Sequence, residues 1–398
     1  MKRKTIALEI SHKFIKVAAG FVRDDKVYLD FTKKIPINHL LENGAIKEKD
    51  ALIRELSRMN PIVDQEYLIN LLVNNVSLIL PPYGLEVYQT HQMTSVISSE
   101  KIINELDIKN IYSIIRNKKL PVDNDLIDII PEAFSIDNGN MYAQAPIGKT
   151  SSAITAYTKV YTVPKRINQE YSDVVKGANI QVNRKIVSSF AASELLSTYS
   201  DTPANYFLVD IGSASTSVSL IGNKTLLASR SFPWGGDNIT DRIVSSFNIN
   251  EVEAEKIKIM FGLDKRQLKF KYAVCTFESE AGSSEHYVEE LNQIIETELA
   301  EFYKKLLIAI EELARAYSIN DYQTLPLLLI GGGSKLKGII PYLVSKNEFN
   351  TIEALSPRSI GGRDPSLFAL LGAIYINHKY PNTKSGDKQI NVNVSREE

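Results

Sequence analysis

The sequence predicts an α/β protein of two similar lobes carrying an inserted module, and three observations predict it. A strand–turn–strand segment near the start recurs about 200 residues later. Strand and helix patterns alternate between and after the two copies, and three consecutive glycines follow the last strongly apolar run. At 398 residues the chain exceeds one ordinary core. With 44% hydrophobic and 23% charged residues it is globular, and a formal charge of -1 gives no bulk attraction to nucleic acid or to an anionic membrane. The single cysteine, Cys275, excludes an intrachain disulfide and any Cys-based zinc site, and reads as a half-buried strand residue of "KYAVCTF". Glu9 interrupts the apolar part of "MKRKTIALEIS" before it reaches secretory length, and Asn70, Asn74, Asn75 and two prolines interrupt "YLINLLVNNVSLILPPYGL". A soluble cytoplasmic protein is expected.

In chain order, "KTIALEISHKFIKVAAGFVRDDKVYLDFTKKIP" reads as three strands joined by a tight turn and the polar turn "RDDK". "EKDALIRELSRM" is a helix and "VSLILP" a strand. "EVYQTHQMT", a helix starting near Ser98 or Ser99, and the strand-like "IIPEAFSIDN" form the inserted module. "SAITAYTKVYTV" returns as a strand, "PKRINQEYSDVVKG" is a helix bounded by proline and Gly177, and "IQVNRKIVSSFAASELL" gives strand then helix. "YFLVDIGSASTSVSLIGNKTLLASRSFPWGG" repeats the opening plan, with "GNK" as its second turn. "DNITDRIVSSF" and "NEVEAEKIKIMFG" are capped helices, and strands run through "KFKYAVCTFES". "HYVEELNQIIETELAEFYKKLLIAIEELARAYS" has helical spacing over a length that predicts one break. "TLPLLLIGGGSKLKGIIPYLV" is strand, glycine turn and helix, and the polar segment from Lys379 onward is a mobile tail.

Three turns carry the chemistry. Each repeat ends its first strand on an acid, Glu9 or Asp210, followed by isoleucine and a small residue, Ser11 or Gly212. A phosphate needs backbone N–H donors at close range, which Gly212, Ser213, Ala214 and Ser215 permit. Asp210 is then placed to orient water on magnesium. Taken alone, this segment fits a plain hairpin with a satisfied carboxylate equally well. The third turn, Gly331 to Gly333, lets a flat ligand lie against bare backbone, and the three in this order are more specific than any one.

These residues resemble the actin, Hsp70 and sugar-kinase superfamily, and within it FtsA, the bacterial cell-division actin homologue. The resemblance covers about residues 5 to 376 and rests on "ALEISHKFIKV", "IIPEAFSIDN" with "PIG", "LVDIGSASTSV", "FPWGGDNITDRI", "EAEKIKIMFG", "LLLIGGGSKLKGI" and "DPSLFALLGAIY". It implies an actin-like two-lobed fold of duplicated ribonuclease-H-like domains with an FtsA-type inserted domain. The implied division is 1–76 and 161–205 for the first lobe, 77–160 for the insertion, 206–238 for the second phosphate hairpin, 239–310 for an outer subdomain, 311–378 for the adenosine motif and closing helix, and 379–398 for a disordered tail.

The resemblance further implies ATP and Mg2+ between the lobes. Glu9, Ser11, His12 and Lys16 would line the first phosphate hairpin, and Asp210, Gly212, Ser213, Ala214 and Ser215 the second, with Asp210 on magnesium through water. Gly235 and Gly236 would lie beside them. Glu255 and Lys258 would reach ribose and adenine, although an exposed ion pair is the plainer reading of that spacing. Gly331, Gly332, Gly333, Ser334 and Leu336 would cover the adenine ring. Several positions depart from the family. Ser11 stands where glycine is usual, His12 where a small hydroxyl residue is, Ser213 and Ala214 replace glycines, and Ser217 replaces a second acid. Weakened phosphate contact is expected. Ser188 or Ser189 stands where hydrolysing relatives carry a carboxylate or amide, and Glu194 lies a full turn further, so slow or absent turnover is expected.

The implied role is a filament-forming cell-division protein that joins head to tail and positions the tubulin-like FtsZ ring at the cytoplasmic side of the membrane. Glu298 stands where FtsA offers a basic residue to the FtsZ tail, so altered recognition is expected, with Lys304 and Lys305 as compensating cations. The tail lacks the large apolar face of a membrane-surface helix, so membrane contact is expected to be indirect. A PilM-like pilus-assembly scaffold and a small-molecule kinase of the same superfamily stay open as alternatives.

Overall fold

The computed structural model describes residues 4–37, 40–42, 44–64, 69–263, 273–279 and 282–380. The predicted tail beyond Tyr380 and the start of the predicted strand at "KFKY" lie outside these residues. In the first lobe, β1 (Thr5–Ile10), β2 (Phe14–Arg23) and β3 (Lys26–Pro36) form an antiparallel meander. Asp24 and Asp25 connect β2 to β3 with φ of 51° and 54°, the left-handed pair of a type I′ turn that matches strand twist. β8 (Asn75–Leu80) joins β1 in parallel and β13 (Gln181–Val187) joins β8, giving the order β13-β8-β1-β2-β3.

The second lobe repeats this arrangement. β14 (Tyr206–Ile211), β15 (Thr216–Gly222) and β16 (Thr225–Phe232) form the meander, and Asn223 and Lys224 make the same left-handed turn with φ of 49° and 61°. β19 (Leu327–Ile330) and β20 (Ile352–Ala354) add in parallel, giving β16-β15-β14-β19-β20. Parallel neighbours require crossovers, which helices supply. They include α1 (Lys49–Arg58) before β8 and α3 (Lys165–Gly177) before β13. In the second lobe they are α5 (Gly236–Phe247), α6 (Glu251–Phe261) and α7 (Val288–Ala316) before β19, then α8 (Ile339–Val344) before β20. Three short pairs decorate the lobes: β4 (Leu41–Glu42) with β5 (Ala45–Ile46), β6 (Ile62–Asp64) with β7 (Ile69–Leu71), and β17 (Ala273–Ser279) with β18 (Gly282–Tyr287).

Two helices without a polar face join the lobes. α4 (Ser188–Ser197) and α9 (Phe368–Lys379) are buried along almost their whole length. They cross so closely that a Cβ on Gly372 would lie 1.8 Å from the Ala191 carbonyl oxygen, so only glycine fits there. The insertion has its own sheet, β11 (Met141–Tyr142), β10 (Asn124–Ile136), β12 (Ala153–Pro164) and β9 (Glu86–Ser95), with α2 (Glu105–Arg116) packed on it. Ile111, Phe134, Ile154 and Ala156 form its separate core. It is fastened on both sides. Arg184 of the first lobe donates to Asp128 at 2.8 and 2.6 Å, while buried Lys159 meets Glu132 at 3.2 Å and donates to the Leu226 carbonyl of β16 at 3.2 Å.

Two element expectations are corrected. The insertion helix begins at Glu105, not near Ser98 or Ser99. The Asn104 side chain accepts from the Leu106 N–H at 2.8 Å and Asp107 accepts from the Asn104 N–H at 2.9 Å, a reciprocal cap that Ser98 lacks, and Lys101 has φ of 55°. α7 is one unbroken helix of 29 residues, because no glycine or proline interrupts it and Leu291, Ile295, Leu299, Phe302, Leu306, Ile310 and Leu313 make one buried stripe. Among the described residues no helix is long and apolar enough to cross a membrane.

Candidate functional site

The two meander turns line opposite walls of one cleft with a volume of 470 Å³. Their backbones close in the same way. The Ser11 N–H donates to the Phe14 carbonyl at 2.9 Å, and the Gly212 N–H donates to the Ser215 carbonyl at 2.9 Å. The Ser11 hydroxyl also donates to Phe14, at 2.8 Å, so it is already engaged. The second turn is fastened to the start of α5, where the N–H groups of Gly236 and Asp237 donate to the carbonyls of Gly212 and Ser213 at 3.0 and 2.7 Å.

The strand-end acids meet at the floor. Lys16 donates to Glu9 at 3.1 Å and to the Ser366 carbonyl at 3.2 Å. Asp210 shows some surface to the cleft, yet protein packs closely round its carboxylate. Burial pushes its pKa up to about 6, with Lys16 pulling down and Glu9 adding to the rise. Gly331, at φ of 85°, lets this carboxylate abut the third turn, since a Cβ there would lie 2.3 Å from Asp210 Oδ1. Gly332 to Lys335 then form a 3-10 turn rather than the start of a helix; the following helix, α8, begins at Ile339.

On the α5–α6 side, buried Lys258 gives all three ammonium donors to protein acceptors. These are the Gly236 carbonyl at 2.9 Å, Thr240 at 2.8 Å and Glu255 at 2.7 Å. Burial opposes ionisation of Glu255, but Lys258 outweighs it and holds the carboxyl below the ordinary value. Just before α9, Asp364 caps the turn by accepting from the Ser366 N–H at 2.9 Å, and draws in Lys34 at 2.9 Å and Lys335 at 3.3 Å.

The cleft has unmet polar demand. Glu9 Oε2, Ser231 Oγ and Trp234 Nε1 are enclosed without hydrogen-bond partners among the described residues, and all three residues line the cleft. Glu9 needs donors, the indole N–H needs an acceptor, and a hydroxyl serves as either. A hydrated cation accompanied by a phosphate chain fits that mixture.

The family model for cell division protein FtsA matches residues 207–372, and that for the SHS2 domain inserted in FtsA matches residues 84–162. Cell division protein FtsA of Buchnera aphidicola subsp. Baizongia pistaciae is 23% identical over 405 residues, spanning 95% of this chain and 92% of that one. Its counterpart in Bacillus subtilis is 24% identical, spanning 93% and 82%. The chain belongs to the FtsA family. The insertion of this FtsA-family chain occupies the stretch that the SHS2 match covers. The fold is actin-like, as in the PilM-PilN type IV pilus biogenesis complex and MreB5 of Spiroplasma citri bound to ADP. The first has TM-score 0.59 at 19% identity, with 93% of this chain and 97% of that one covered. The second has TM-score 0.53 at 14% identity, with 95% and 99% covered.

Within this FtsA-family cleft the structure brings together Glu9, Ser11, His12, Lys16, Asp210, Gly212, Ser213, Ala214, Ser215, Gly236, Glu255, Lys258, Gly331, Gly332, Gly333 and Leu336. It leaves Gly235 and Ser334 behind the lining; the buried Ser334 hydroxyl donates to the Gly331 carbonyl at 2.8 Å and braces the turn. Ser188 lines the cleft, whereas Glu194 is buried elsewhere beside Lys379 at 2.9 Å. Glu298 faces Arg242 of α5 at 3.3 Å, so the acid on α7 stands next to a cation from the neighbouring helix. Sequence reasoning missed Lys13, Lys34, Tyr83, Asp237, Lys335 and Asp364, all near the cleft. Only Asp364 carried a local signal, as a capping acid before proline.

Proposed function

We propose that this chain binds ATP with Mg2+ between its lobes and uses the nucleotide as a conformational ligand for head-to-tail filaments that position the FtsZ ring. The observation that supports it best is the pair of equivalent turns meeting across one cleft, backed by a third glycine turn against Asp210. Asp210 and Glu9 would hold the hydrated cation, which would supply charge neutralisation to the phosphates. Lys16 would orient the phosphate chain, and the bare backbone of Gly332 and Gly333 with Leu336 would take the base. Glu255 and Lys258, locked to Thr240, shape the ribose side rather than reach freely. No carboxylate accompanies Ser188 at the start of α4, so hydrolysis is slow or absent and binding alone shifts the lobes.

The FtsZ tail is met by the α5–α7 surface, with Arg242 beside Glu298 supplying the cation that the α7 position lacks. The protein works at the cytoplasmic side of the division site. Electron microscopy of the full chain with Mg-ATP on a lipid monolayer, with FtsZ tail peptide binding measured in parallel, tests this reading. Nucleotide-dependent filaments and saturable peptide binding are expected. Capture of a pilus membrane peptide without FtsZ binding would favour a PilM-type scaffold instead.

A further inference from the structure

Lys13 sits inside the first phosphate turn, between His12 and Phe14, yet its side chain serves the other lobe. Its Nζ lies 2.6 Å from Asp237 Oδ1, 3.0 Å from Glu251 Oε1 and 4.0 Å from Glu255 Oε2. Asp237 is in the first turn of α5, and the two glutamates are on α6. His12 approaches the other Asp237 oxygen at 3.9 Å. One turn of the first lobe therefore grips both α5 and α6 of the second.

The electrostatics favour this grip. Burial works against the Lys13 charge, but the hydrogen bond and field of Asp237, with Glu251 and Glu255, outweigh it and push the pKa up to about 12. Lys13 and Asp237 are both largely covered, at 23% and 16% side-chain exposure, so solvent screens this pair less than a free surface pair. Removing Lys13 would leave three carboxylates close together beside a cleft suited to an anion. Tyr83, from the loop after β8, and Ser215 of the second turn line the same cleft.

We propose that Lys13 is a built-in latch that keeps the two lobes closed without a nucleotide, and that it also neutralises the acids at the cleft mouth so that a polyphosphate is accepted. The latch stands on the ion pairs alone, while the polyphosphate part rests on the nucleotide reading above. Closure in this chain is accordingly less dependent on ligand than it would be with a small residue at position 13.

The test uses the full chain in a Cys275→Ser background, with spin labels at the exposed positions Lys176 on α3 and Glu253 on α6, and pulsed-dipolar distances measured without nucleotide. The wild-type residue at position 13 should give one short-distance population. Lys13→Gln should lower the closed-to-open ratio about tenfold. Glu251→Gln, at a half-exposed partner, should shift it less in the same direction, and adding it to Lys13→Gln should change little further, since both remove one interaction. A Lys13→Gln distribution identical to that of the parent, or a parent already open, would overturn the latch. Calorimetric titration of the parent with Mg-ATP and with adenosine separates the readings. Lys13→Gln should lose about tenfold more affinity for ATP than for adenosine. Equal losses would overturn the neutralising role, and absence of ATP binding to the parent would sink the nucleotide reading while the nucleotide-free distances still judge the latch.

Discussion

Burial raises the Asp210 pKa to about 6 from an ordinary 3.8, opposed by Lys16 and assisted by Glu9. The folded state therefore holds the proton more tightly than the unfolded chain does. The contribution of this group is most favourable below the unfolded pKa, and it is lost as pH rises through the folded value. At neutral pH the buried charge is a net cost of about 1–3 kcal/mol, the lower end allowing for the part of the residue that meets the cleft. Asp210→Asn should consequently raise the melting temperature of nucleotide-free protein at pH 7.5, with the gain shrinking toward pH 4. A melting temperature lowered at pH 7.5 would contradict this, and calorimetry should show that the same change weakens Mg-ATP binding. The acid itself was legible in the sequence because it ends an apolar strand. What surrounds it was not, since Gly331 and Lys16 reach it from distant segments. The Glu255–Lys258 spacing was likewise visible, but nothing local announced that Thr240 and the Gly236 carbonyl would take the remaining lysine donors.

At the scale of elements, the meanders were readable because each joins largely buried apolar strands through a two-residue turn of left-handed residues. Helix limits were less so. Ser98 is a good cap residue by type, yet the reciprocal Asn104–Asp107 pair sets the start of α2, after Ile102 has bridged to Thr150. The predicted break in α7 rested on ordinary helix length, while the buried stripe on the second sheet continues without one. The α4–α9 crossing was invisible, since it joins "FAASELL" to "FALLGAIY" across the whole fold. Gly372→Val should cost about 3 kcal/mol or more, because its Cβ would strike the Ala191 carbonyl and neither helix has a free side on which to retreat. Urea denaturation checks this, and an unchanged midpoint would show that the helices separate easily.

Over the whole molecule, the duplicated sheet order puts two strand-end acids at one floor, and the insertion is fastened to both lobes through Arg184–Asp128 and Lys159. Ion pairs run between the lobes where Asp364 meets Lys34 and Lys335 and where Lys13 meets Asp237. Sequence repeats made the two-lobed plan legible, but cross-lobe ion pairs follow from lobe docking, which no local pattern encodes. The central claim is that the paired turns hold Mg-ATP, and isothermal titration of the full chain with ATP in the presence of Mg2+ tests it most directly. Saturable one-to-one binding is expected, weakening about tenfold in Lys16→Met, which corresponds to loss of one charged hydrogen bond to phosphate. Absence of saturable heat, or an affinity unchanged in Lys16→Met, would contradict it.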